Sequence, residues 1–183
     1  AEGYAGAVDT HLDAWDPYGA HGAEPALVIS AYEVRSPLLR FDLTSIPSTA
    51  RVESARLDLY ASSRTAEAVL PALLYRVQRP WSEGEATWLA ADGDRWELAG
   101  CSGSRDREMT PAAATDLFRA GWWYSWDVTP LVRDWVRTPA SNAGVLLVGS
   151  GQVGQPVVDY WFHSSESEAA ELRPRLKVAF WMP

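Results

Sequence analysis

Apolar side chains recur at every second position through much of this chain, and no other feature restricts its fold as far. In Ala55-Arg56-Leu57-Asp58-Leu59-Tyr60, one face carries Ala55, Leu57 and Leu59 and the other Arg56, Asp58 and Tyr60. That is the two-residue period of a strand with one buried side. Leu39, Phe41 and Leu43 alternate with Arg40 and Asp42, and Leu176, Val178 and Phe180 alternate with Lys177 and Ala179. Leu73, Tyr75 and Val77 form a further set expected to face inward, with Leu74 and Arg76 opposite. Val145 to Val148 is apolar without interruption, as in a central strand covered on both sides. Ile46-Pro47-Ser48 and Gly149-Ser150-Gly151-Gln152 follow two of these runs, where proline and glycine break both periods. Short strands so spaced predict an all-β sandwich or barrel rather than βαβ units.

One segment departs from the period of two. Thr129 is placed to cap a helix and Pro130 suits its first position. Leu131 and Trp135, and Val132 and Val136, then share faces at i,i+4 spacing until Pro139 stops the run. A short helix over about 130–137 is expected against the sandwich. Leu89 to Arg119 reads as one long excursion, with a helical turn expected near Ala112 to Phe118; excursions of this length are often functional. No repeat or linker marks a second unit, so residues 1–183 read as a single domain, long enough to bury a substantial core.

A net charge of −8 opposes phosphate backbones and anionic membrane surfaces, so neither is an expected partner. No apolar run approaches the roughly 20 residues that span a bilayer. The chain opens on Ala1 without a charged or apolar leader; it reads as a mature protein, extracellular or at the cell surface after signal-peptide removal. Cys101 has no internal partner and sits in Gly100-Cys101-Ser102-Gly103-Ser104. It is expected as an unpaired loop thiol, with an intermolecular link as the alternative. Ten tryptophans need either a core to pack or a ligand to stack on.

Several phrases stand in a telling order: Val8-Asp9-Thr10, then Leu39-Arg40-Phe41-Asp42-Leu43, then Ser54-Ala55-Arg56-Leu57-Asp58-Leu59-Tyr60. Trp81-Ser82-Glu83, Ala86-Thr87-Trp88, Trp126-Asp127-Val128-Thr129, Asn142-Ala143-Gly144-Val145 and Phe162-His163-Ser164-Ser165-Glu166 follow, and Arg173-Pro174-Arg175-Leu176 closes the series. Across nearly the whole chain this order resembles the DNRLRE domain, also met as the disaggregatase-related or family 96 carbohydrate-binding module. The resemblance implies a secreted, jelly-roll-type antiparallel β-sandwich, usually attached to glycoside hydrolases, polysaccharide lyases or other surface proteins, some members of which bind polysaccharides.

The candidate site residues fall into three groups. Trp81, Trp88 and Trp123 are the ligand or interface aromatics. The first two bracket a turn and also suit core packing, whereas Trp123 points away from Trp122, Tyr124 and Trp126 and meets either solvent or another chain. Arg40, Asp42, Arg56 and Asp58 form a polar face, by cross-strand ion pairing or by sugar contact. Asp9, Asp13 and Asp16 are the metal candidates, near His11 and His21; without a dedicated ligand spacing a solvated strand edge is the preferred reading, and of the metals calcium fits them better than a transition metal. No Gly-x-Ser-x-Gly is present and the three histidines lie far apart, so no catalytic residue is assigned. Glu83 with Glu85, and Glu166 with Glu168, read as ordinary pairs on an acidic surface.

The expected function is therefore non-catalytic: an extracellular structural or assembly subunit, of a filament or surface layer. It would self-associate through an arm, Ala1 to Ala7, added as a strand to the next subunit. The alternative is a carbohydrate-binding module recognising an extracellular polysaccharide. The balance of 16 basic to 24 acidic residues argues mildly against an anionic glycan. No cofactor other than calcium is expected.

Overall fold

The computed structural model describes residues 6–151, 154 and 156–182. The strands are β1 (Ala7–Asp13), β2 (Ala26–Ser30), β3 (Arg35–Phe41), β4 (Arg51–Arg64), β5 (Leu70–Arg76), β6 (Ala90–Asp92), β7 (Asp94–Arg95), β8 (Ala113–Leu117), β9 (Trp122–Asp127), β10 (Val145–Gly149), β11 (Asp159–His163) and β12 (Arg175–Trp181), with helix α1 (Thr129–Arg137) between β9 and β10. One sheet runs β1-β3-β10-β5-β8; the other runs β12-β4-β11-β2, with β9 also on β4. Every pairing in both is antiparallel, which gives the β-sandwich that the alternation predicts.

The inner faces meet in one core containing Leu57, Leu59, Leu39, Leu74, Leu147, Trp126 and Phe162. The first sheet is covered on its outer side as well. Leu12, Leu38, Tyr75, Val77, Leu146 and Val148 pack there under Trp81, Ala86, Ala91, Trp96 and Cys101 of the excursion. Val145 to Val148 is thus buried on both sides, as expected of an unbroken apolar run. The set Leu73, Tyr75 and Val77 is corrected: it faces this outer layer, and Leu70, Ala72 and Leu74 face the sandwich interior. When both faces of a strand are apolar, alternation cannot say which is which.

The helix spans Thr129–Arg137, one residue earlier than expected, and Thr129 is not its cap. Oδ1 of Asp127 accepts from the Thr129 backbone N–H at 2.9 Å and from its hydroxyl at 2.6 Å. The hydroxyl of Thr129 also accepts from Ala55 N–H at 2.9 Å. Arg133 donates to the carbonyls of Val52 and Glu53 at 2.9 and 3.0 Å. Strand β9 pairs only with positions 56–61 of β4, so α1 supplies partners to β4 positions beyond its reach, where a bare edge would invite pairing with another chain. The helical turn expected near Ala112 to Phe118 is instead β8. Its backbone pairs with β5 from Leu70↔Leu117 to Leu74↔Ala113, and that ladder outweighs alanine's helical preference.

Cys101 lies in the excursion, fully buried, so an intermolecular disulfide is sterically closed to it. Burial, followed by the charge of Asp106, raises its thiol pKa well above the ordinary range. Native protein is expected to be inert to an aromatic disulfide reagent and to release one thiol equivalent only once unfolded. Rapid labelling of the native state would contradict this burial.

Candidate functional site

Among the described residues, no further layer covers the outer face of the second sheet. On β4, the residues opposite the core-facing Leu57 and Leu59 are Arg56, Asp58 and Tyr60, as the alternation requires. Register then sets Asp127, Ser125 and Trp123 of β9 beside them, and Arg175 and Lys177 of β12 opposite Asp58 and Arg56. Trp161 and His163 of β11 continue the face, since their neighbours Tyr160 and Phe162 are fully buried. The Tyr60 and Trp123 rings meet edge to face with centroids 5.4 Å apart, and His163 lies 5.9 Å from Tyr60. The Arg175 guanidinium sits 4.2 Å over the Trp123 ring.

Asp58 organises the polar end. It accepts from the Ser125 hydroxyl at 2.6 Å and pairs with Lys177 and Arg56, each at 2.8 Å. Burial pushes its pKa up, but hydrogen bonds from Lys177, Ser125 and Arg56 outweigh it and hold the carboxyl below the usual range. A groove of about 490 Å³, lined by Ser54, Arg56, Asp127, Thr129, Lys177 and Ala179, adjoins it. The strip therefore joins aromatic rings to fixed donors and acceptors, the two kinds of contact a sugar ring makes.

Only part of the predicted polar face belongs here. Arg56 and Asp58 do, and they pair along their own strand. Arg40 lies on β3 of the other sheet, and Asp42 just past the end of that strand. The Arg40 guanidinium lies 5.3 Å from the Trp81 ring and donates to the Trp81 carbonyl, and Asp42 accepts from the backbone and hydroxyl of Thr44. Trp81 is 2 % exposed and donates to the Ala143 carbonyl at 2.9 Å, so it anchors the excursion and offers no ring face to a ligand. Trp88 is half-buried at the rim of the same layer. Trp122, predicted to share the core face with Tyr124 and Trp126, lies past the core's end, 46 % exposed, with Arg119 at 3.5 Å over its ring.

A second constellation closes the edge of the sandwich at β1. Asp9, His11 and Asp13 are buried rather than solvated. Asp9, Asp13 and Asp16 do not converge. Asp13 is taken by Arg35 at 2.7 Å, and Asp16 is exposed near His21. Asp9 instead meets Glu83 and Glu166, with carboxylate oxygens within 4.8 Å of one another. The Ser165 N–H donates to Asp9 at 2.9 and 3.2 Å, and the Asp9 N–H donates to Glu83 Oε1 at 2.7 Å. Burial, then the charge of Glu166, raises Asp9 to about 7; burial also raises Glu83. Such an oxygen-only, mutually repelling set suits a hard cation. His11 and His21 stack with ring centroids 4.4 Å apart and planes 16° apart. Ring lone pairs lie in the ring planes, so two nearly parallel imidazoles do not aim at one ion. Sequence spacing could not find the carboxylate trio, because its members lie 74 and 83 positions apart; only the phrases Trp81-Ser82-Glu83 and Ser164-Ser165-Glu166 singled out their neighbourhoods.

A β-sandwich bearing an aromatic and charged strip on its open sheet face has the architecture of a ligand-binding module. The chain belongs to carbohydrate-binding module family 96, whose profile matches residues 5–179, nearly its full length. Modules of this kind bind carbohydrate and are not themselves catalytic. No curated protein matches the chain.

Proposed function

We propose that this module binds an extracellular polysaccharide along the outer face of the second sheet, with Tyr60 and Trp123 as its sugar platform. The observation that carries this reading is the continuity of the strip: the rings, the Asp58 network and the adjoining groove share one sheet face. Arg56, Arg175 and Lys177 face Asp58 and Asp127 there, so the acidity of the chain as a whole does not extend to this surface. Acidic polymers are therefore as admissible as neutral ones. The assembly role expected from the sequence has less behind it. Residues 1–5 of its proposed arm lie outside the described residues.

Trp123→Ala is expected to weaken polysaccharide binding about tenfold, because a stacked aromatic contributes on the order of 1 kcal/mol beyond its buried area. Tyr60→Ala should act in the same direction. Affinity electrophoresis against neutral, uronic-acid and sulfated polysaccharides measures this; retardation unchanged in both variants would place the site elsewhere. The calcium expected from the sequence is proposed at Asp9, Glu83 and Glu166, where it would tie β1 to the two loops that carry Glu83 and Glu166.

A further inference from the structure

The backbone of the described residues carries a positive φ outside glycine at three positions: Tyr32 (62°), Glu33 (59°) and Cys101 (56°). All three adjoin one groove of about 520 Å³, lined among others by Tyr32, Glu33, Trp88, Gly100, Ser102 and Ser150. Left-handed backbone is costly for such residues and survives where the surroundings enforce it, and such positions cluster at functional sites. The enforcement is visible. Gly100 lies so close to Trp88 that a Cβ there would fall 2.5 Å from its ring. Cys101 is fully buried beneath the turn.

Glu33 is held from below by Arg107. Its Nη2 reaches Glu33 Oε2 at 3.4 Å, and its guanidinium sits 4.2 Å over the Tyr75 ring. Arg107 is itself buried, with Nε and Nη1 lacking any hydrogen-bond partner. A buried cation this poorly satisfied holds the carboxylate above it in place. Glu33 remains 48 % exposed, an acceptor-only group at the side of a groove that also holds the half-buried Trp88.

We propose that this groove is a second saccharide site, taking a neutral sugar ring against Trp88 while a pair of its hydroxyls donates to Glu33. A uronate would meet the Glu33 charge and is excluded. The groove borders the layer that covers the first sheet, whereas the platform lies on the outer face of the second, so the module engages two glycan segments. This rests on the polysaccharide-binding reading above.

The test is calorimetric titration of the full chain with cello-, xylo-, manno- and galactohexaose, and separately with polygalacturonate. A neutral hexaose is expected to fill two sites per chain. Trp88→Ala and Ser102→Trp should each weaken one of them about tenfold or more, and Trp123→Ala should weaken the other. Ser102→Trp fills the rim while leaving Glu33 and Arg107 themselves unaltered, and melting curves confirm that each variant is folded. Glu33→Gln should weaken the same site as Trp88→Ala, and polygalacturonate should respond only to Trp123→Ala. The proposal is overturned if no neutral hexaose binds, or if binding is unchanged in both Trp88→Ala and Ser102→Trp. Polysaccharide binding that survives those results and is lost in Trp123→Ala would leave the platform reading standing; no binding by any polymer would end both.

Discussion

Calcium at pH 8 is expected to raise the melting temperature of this protein by on the order of 10 °C, and Asp9→Asn to abolish that response. Asp9 is almost fully buried, with Glu83 and Glu166 beside it, and its pKa rises from 3.8 to about 7. Because the folded value lies above the unfolded one, the stability tied to its proton is complete below about pH 4 and is lost as pH rises through about 7. A shift of that size corresponds to at most about 4 kcal/mol. At about 2–4 °C per kcal/mol for a chain of this length, that is the quoted range. A divalent cation replaces the proton as the compensating charge, so its effect should grow between pH 5 and 8. Without metal, Asp9→Asn should be more stable than wild type at pH 8, since it removes the ionised group. Melting curves with calcium and with chelator across that range measure both effects. A calcium response that persists undiminished in Asp9→Asn would remove Asp9 from the site.

Trp126→Ala is expected to cost about 3–5 kcal/mol in urea denaturation, the usual loss for a buried tryptophan. Trp126 is 1 % exposed and crosses the sandwich. Its Nε1 donates at 3.0 Å to the Ala72 carbonyl of the opposite sheet, and its ring meets Phe162 edge to face. The truncation leaves a cavity and removes that hydrogen bond. Trp123→Ala, three residues away on the outer face, should cost under about 1 kcal/mol, as surface substitutions do. If both variants lost the same amount, the division of β9 into a structural and a binding face would be wrong. The pair thus separates folding from binding on one strand.

What the sequence determined by itself was everything carried by local period. Alternation placed Leu57 and Leu59 inside and Arg56, Asp58 and Tyr60 outside, because successive side chains on a strand leave opposite faces. The i,i+4 apolar pairs and flanking prolines located α1 to within a residue. The order of the strand phrases pointed to the family. What remained was decided by register and by layers. Arg40 and Arg56 look equivalent in sequence, yet they lie on different sheets, one over Trp81 and the other beside Lys177. Trp81 and Trp123 differ in burial because the excursion returns to cover one sheet and leaves the other bare. The trio of Asp9, Glu83 and Glu166 exists only where β1 and two loops converge, and no spacing along the chain encodes that meeting. Local period fixes which side chains share a face; only the tertiary structure decides what stands opposite that face.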